Sequence, residues 1–186
     1  MATIRDDSDI KIFGAPDNEA DSEFLRQIEA LDHHRQNGNM EKARALGRKL
    51  YEIVSSDVTK TELRDPDFME GKLLIKTGVL ALFSTEAALN MFLPSTQLST
   101  VAISEMHRLL AKTYSPVYEK IMESPAYSFY YLTIRKGGDV AGEIGKAFAE
   151  HCRHEGEEKY IAEGQYIYEL VLAEVQKQID KMDFAD

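Results

Sequence analysis

LLIKTGVLALFSTEAALNMFL, residues 73–93, is the stretch that decides the fold. Placed at 100° per residue, its apolar side chains fall on every side of a helix instead of along one stripe. A helix without a polar face is normally enclosed by others. A membrane span also needs about 20 mostly apolar residues. Here Lys76, Ser84, Thr85, Glu86 and Asn90 interrupt the run, and a charge at mid-bilayer is costly. The segment therefore predicts a central buried helix, with Ser84 and Thr85 as the place for a bend. Pro94 ends it.

Working outward, the flanking segments read as helices that can wrap this one. Upstream, DPDFMEG offers Asp65 as a cap and Pro66 for the first turn, where no backbone donor is needed. Earlier, Phe24, Leu25, Ile28 and Leu31 recur at helical spacing, as do Ala43, Leu46, Leu50 and Ile53. Between them, Gly38 suits the left-handed position after a helix and Asn39 suits a cap. Residues 20–55 thus predict a helical hairpin. Downstream, a helix runs from about Gln97 to Lys112. SPVYEKIMES and SPAYSFYYLTIRK then each pair a serine cap with a proline in the first turn. After Gly137 and Gly138, Asp139 caps a helix through about His154. A long helix follows from about Glu157 to Met182, with Ile161, Gly164, Tyr168, Val171, Val175 and Met182 facing inward.

The fold class is all-α: a single-domain bundle of about seven to eight helices around a central apolar helix. Residues 18–186 form the domain and residues 1–17 a flexible arm. In that arm DIKIF has no second strand to pair with.

The 186 residues carry a formal net charge of −10, and 44% are hydrophobic. That length suits one domain with a full core. The acidic balance argues against nucleic acid and against an anionic membrane surface as partners. One cysteine makes no internal disulfide, which fits a reducing cytosol. The first residues show no apolar core of a signal peptide. The expected location is cytoplasmic.

NGNMEKARALGRKL and GGDVAGEIGKAF share a glycine stop, an Asn or Asp, and a new helix. The first also resembles part of a tetratricopeptide unit over roughly 30 residues, through the turn Gly38 and the small Ala43. Gly47 departs from that family, which prefers an aromatic residue there, and no period of roughly 34 residues follows. Turn chemistry explains both junctions.

The usual catalytic motifs are missing. GGDVAG lacks the Lys-Ser/Thr pair of a phosphate loop and follows no strand. There is no Gly-x-Ser-x-Gly and no His-Glu-x-x-His. Glu-x-x-His, which di-iron bundles repeat on two helices, does not occur. No enzyme class is indicated and no cofactor is expected.

Four features carry candidate chemistry. EHCRHEGEE, residues 150–158, holds the only cysteine and two of the five histidines. On a helix His151 falls on the side of Val140, Ile144 and Phe148, with Cys152 beside it. His154 lies on the other flank, Arg153 points away, and Gly156 is the expected stop. His151 and Glu155 share a face, and with His107 they are the weak metal candidates. His33 and His34 are adjacent on a helix, so they cannot chelate one ion, and late cationic residues suit a helix end. Tyrosines cluster between residues 114 and 131 and again at Tyr160, Tyr166 and Tyr168. Tyr118, Tyr127, Tyr130, Tyr131 and Tyr168 are candidates for a groove or interface, where a ring with a hydroxyl is favoured. Glu86, inside the apolar helix, is either a buried acid with a raised pKa or a side chain reaching solvent with Ser84 and Thr85. The preferred expectation is a non-catalytic protein that contacts another protein or itself, as a homodimer. The alternative is a bundle holding a small ligand or metal in a tyrosine-lined pocket.

Overall fold

A computed structural model describes residues 18–56 and 72–185, and among them there are seven helices and no strand. They are α1 (Asn18–Gln36), α2 (Asn39–Ser56), α3 (Lys72–Phe92), α4 (Thr96–Met122), α5 (Ala126–Lys136), α6 (Val140–His151) and α7 (Glu158–Met182). The expected arm, the Asp65 and Pro66 start and the Ser115 side chain lie outside the described residues. No described helix is long and apolar enough to cross a membrane.

By internal contacts the chain divides after Asn37. In the first unit, α1 carries its apolar stripe largely in solvent: Phe24, Leu25 and Ile28 are exposed and only Leu31 is half-buried.

In the second unit, from Gly38 onward, α3 is central. Val79 through Phe83, Ala88 and Leu89 are buried, and α3 packs on α4, α7, α5 and α2. Its polar interruptions are absorbed locally. The Ser84 hydroxyl donates to Leu80 O at 2.7 Å and that of Thr85 to Ala81 O at 2.8 Å. Such bonds back to the preceding turn satisfy a buried hydroxyl without a partner helix. Neither side chain leads to solvent. Lys76 reaches across to donate to Cys152 O at 3.1 Å.

The neighbouring helices bring Leu46 and Leu50 from α2, Leu98, Ala102 and Met106 from α4, and Val171, Val175 and Ile179 from α7 into the core. Two crossings are backbone-close. At α6–α7, a Cβ on Gly145 would collide with Ile161 O, and one on Gly164 would lie 2.6 Å from Phe148 Cβ. At α2–α4, a Cβ on Gly47 would collide with Ala102 O. This explains why Gly47 cannot be the aromatic residue of a tetratricopeptide unit.

Three junctions differ from expectation. Residues 96–122 run as one helix broken at Tyr114 (φ −127, ψ 34). Pro116 follows the break, and a proline cannot supply the backbone donor that would keep the helix continuous. Two helices were expected here, and the break at Tyr114 marks their border. α5 is preceded by Pro125 in its cap position, and the Ser124 hydroxyl makes no bond to the helix. Asn39 is the third. Gly38 O accepts from Glu41 N and Lys42 N, which makes Gly38 the cap residue. The Asn39 amide is buried and reaches the far end of the chain: Nδ2 donates to Ala185 O at 2.7 Å and Oδ1 accepts from Ala185 N at 3.0 Å. Lys42 adds a bond to Asp183 O.

The α6–α7 crossing yields a prediction. In an open helix, Gly→Ala stabilises by about 1 kcal/mol through propensity. At Gly145 the new methyl meets backbone, and overpacking costs about 1–3 kcal/mol. Gly145→Ala should lower the urea midpoint; an unchanged or higher midpoint would refute the close crossing.

Candidate functional site

Glu86 leaves α3 directly after the two self-satisfied hydroxyls, so it is the first polar group there that needs a partner from elsewhere. It finds His107 on α4. His107 Nε2 lies 2.6 Å from Glu86 Oε1, and Nδ1 lies 2.7 Å from the Tyr118 hydroxyl. The side chains of His107 and Glu86 are only 17% and 21% exposed. His107 and Tyr118 stand on opposite sides of the break at Tyr114, so the bond between them ties the second half of α4 to the first. Burial, then the Glu86 charge, push the Tyr118 hydroxyl above its ordinary pKa. The raised pKa keeps the Tyr118 hydroxyl protonated rather than an activated phenolate.

Glu86 also opens onto a pocket of about 250 Å³ between α3 and α5. Phe83, Asn90, Met91, Tyr127 and Tyr131 line it with Glu86. The rings of Phe83 and Tyr127 meet edge to face, centroids 5.4 Å apart. The Tyr127 hydroxyl is buried beside the Glu86 carboxylate. Burial first, then the Glu86 charge, push its pKa well up. Of the tyrosine candidates, Tyr118, Tyr127 and Tyr131 therefore gather around Glu86. Tyr130 and Tyr168 do not. Tyr130 is fully buried against Phe83, centroids 5.3 Å apart, and Tyr168 is buried on the inner face of α7. Neither can reach a surface groove, because each packs on a face the core encloses.

The histidine–cysteine stretch behaves differently from its letters. α6 stops at His151, and the stop is Arg153 in the left-handed region (φ 64), not Gly156. His154 N donates to Ala149 O and Arg153 N to Glu150 O, both at 2.9 Å. This is the Schellman pattern, usually closed by glycine. His154 then holds the connector: its ring stacks on Tyr160 at 3.9 Å and Nδ1 lies 2.7 Å from Glu157 Oε1. Because the helix ends first, His151 and Glu155 lose the shared face expected of them. Cys152 is buried. His151 lines a second cleft, about 560 Å³, between α5 and α6. Burial, then the Lys76 ammonium, lower its pKa. His151 is thus half-buried at the cleft, and the charge that moves its pKa is the Lys76 cation. Likewise His33 and His34 sit edge to face with centroids 6.0 Å apart, in the last turn of α1. Among the described residues no three His, Cys, Asp or Glu side chains converge as a metal site.

The chain matches no protein-family model, no curated protein and no solved structure.

The sequence had singled out Glu86, His107 and Tyr118 separately. Their convergence depends on the register of α3 against α4 and on the break at Tyr114. Glu86 and His107 lie 21 residues apart on different helices, where no spacing rule applies. The cleft-lining Lys136 and Lys146 were not singled out, and Arg153 was read only as pointing away. Only the proximity of α5 and α6 brings them together.

Two predictions follow from this geometry. His107→Ala strips the half-buried Tyr118 hydroxyl and one Glu86 oxygen of their partner. Stability should fall by about 1–3 kcal/mol, the cost of orphaned buried polar groups, and Tyr118→Phe should cost less. Equal stability in urea would show the chain of bonds to be incidental. For His151, the folded pKa lies below the unfolded one. The unfolded state therefore binds the proton first, and its stabilising effect, complete above the unfolded value of about 6.5, is lost as pH falls below it. His151→Gln should flatten the stability profile between pH 7 and the acid limit of folding. An unchanged slope would count against the buried neutral ring.

Proposed function

We propose that the protein works by contact with another protein chain, through the outer face of α5, and that a second copy of itself is the partner. The observation that carries this is the inverted character of α5. The helix buries only Ala126 and Tyr130, while Phe129, Tyr131 and Leu132 are 62%, 57% and 53% exposed. Large apolar groups clustered on one exposed face are typical of a contact surface, and aromatic residues are enriched at interface cores. Phe129 and Leu132 also line the α5–α6 cleft, with Lys136, Lys146 and Arg153 and the carboxylates Glu143 and Glu150 beside them, Glu143 already holding Lys146 at 2.6 Å. That combination favours a partner offering apolar side chains flanked by charges of both signs. A chain of net charge −10 carries such groups. Tyr166 and Leu170, exposed four residues apart on α7, are further apolar contact material.

Light scattering over a micromolar-to-millimolar series tests this. Dimer mass should appear with concentration and disappear in Phe129→Ser/Leu132→Ser, while circular dichroism stays helical. A constant monomer mass, or a dimer indifferent to the double substitution, would reject the α5 face as the self-contact surface.

A further inference from the structure

We infer that the pocket between α3 and α5 is a binding site for a small organic cation, an apolar body bearing a protonated or quaternary amine. Its walls and its charge argue this, and of its lining named above only Tyr131 is shared with the α5 contact face. Among the described residues Glu86 is the only charged side chain lining the pocket, and the remaining walls are the aromatic Phe83, Tyr127 and Tyr131, the aliphatic Met91 and Ile134, and the smaller Ala87 and Asn90. Aromatic faces attract a cation through their quadrupole, most strongly where water is excluded. A carboxylate at the inner end of such a cage supplies the counter-charge.

The carboxylate is prepared for that role. One oxygen, Oε1, is held 2.6 Å from His107 Nε2, and His107 is held in turn by Tyr118 at 2.7 Å. When the Tyr118 hydroxyl donates to Nδ1, Nε2–H donates to Glu86 Oε1. These bonds fix the direction of the carboxylate. His107 and Tyr118 act as positioning residues, not as contacts to the guest. The Tyr127 hydroxyl is buried beside this charge; a phenol that donates toward a carboxylate keeps its oxygen lone pairs for an ammonium donor. Tyr131 already draws a cation: the Arg135 guanidinium lies 5.9 Å from its ring centroid. The volume of about 250 Å³ is below the roughly 300–1,000 Å³ of pockets for drug-sized ligands, so the guest is a monoamine of about one ring.

The experiment titrates the full chain with phenethylammonium and, as the matched neutral probe, phenethyl alcohol. Tyrosine fluorescence and NMR shifts are the readouts; the chain has no tryptophan to obscure the first. The ammonium should bind at least about tenfold more tightly than the alcohol, one well-made charge interaction being worth that factor. It should also shift resonances of Phe83, Tyr127 and Tyr131. Glu86→Gln should erase the preference. Tyr127→Leu, which leaves the carboxylate in place, should weaken the ammonium several-fold, and this second variant decides the matter where Glu86→Gln fails to fold. Equal affinity for ammonium and alcohol, retention of the preference without the carboxylate, or no binding of either probe at millimolar concentration overturns the inference.

Discussion

A helix that is apolar around its whole circumference cannot meet water on any side, and α3 imposes that constraint on everything around it. Residues 79–83 and 88–89 have no exposed edge, so α4, α7, α5 and α2 must close over them. The constraint also fixes what α3 does with its few polar groups. A hydroxyl one atom from the backbone can bond to its own preceding turn, as Ser84 and Thr85 do. A carboxylate cannot, because backbone carbonyls accept and do not donate. Glu86 must therefore be met by a donor from another helix or lead out of the core. It does both: His107 takes one side, and the pocket opens on the other.

Closing so many helices around one requires some of them to come very near. The α6–α7 crossing uses a reciprocal arrangement, Gly145 against the backbone of Ile161 and Gly164 against Phe148. Close approach there leaves α7 free to lay Val171, Val175 and Ile179 on α3. α5 receives the opposite treatment. It is short, buries two residues, and turns its larger apolar side chains outward. The α3–α5 pocket and the α5–α6 cleft both border α5.

Much of this was legible beforehand, and the failures have particular causes. All-round apolarity gave away the position of α3, and three- and four-residue spacing gave away the inner faces of α2 and α7. Asp139 was recognisable as a cap because the bond it makes, accepting from Gly142 N at 3.1 Å, is local. Asn39 misled because a capping residue type was free to bond at long range, to Ala185. Arg153 misled because the left-handed stop normally belongs to glycine, and here the His154–Tyr160 stack and the Glu157 bond hold the turn regardless. The stripe of α1 was legible as a stripe but not as an exposed one, since periodicity reports that a face exists and not what covers it. The Glu86–His107–Tyr118 arrangement was invisible for a different reason. It depends on tertiary register and on the break at Tyr114.

The bond pair between Asn39 and Ala185 makes the second unit topologically a ring in all but one covalent link. Its first helical residue and its last described residue are held side by side, across 146 positions of sequence. A short linker between them would convert a hydrogen-bonded closure into a permanent one. New ends could then be opened at Gly137 and Gly138, which are exposed and have nothing packed against them. A chain reordered in this way would begin with α6 and α7 and finish with α5, keeping every helix crossing while reversing which of them is made first during synthesis.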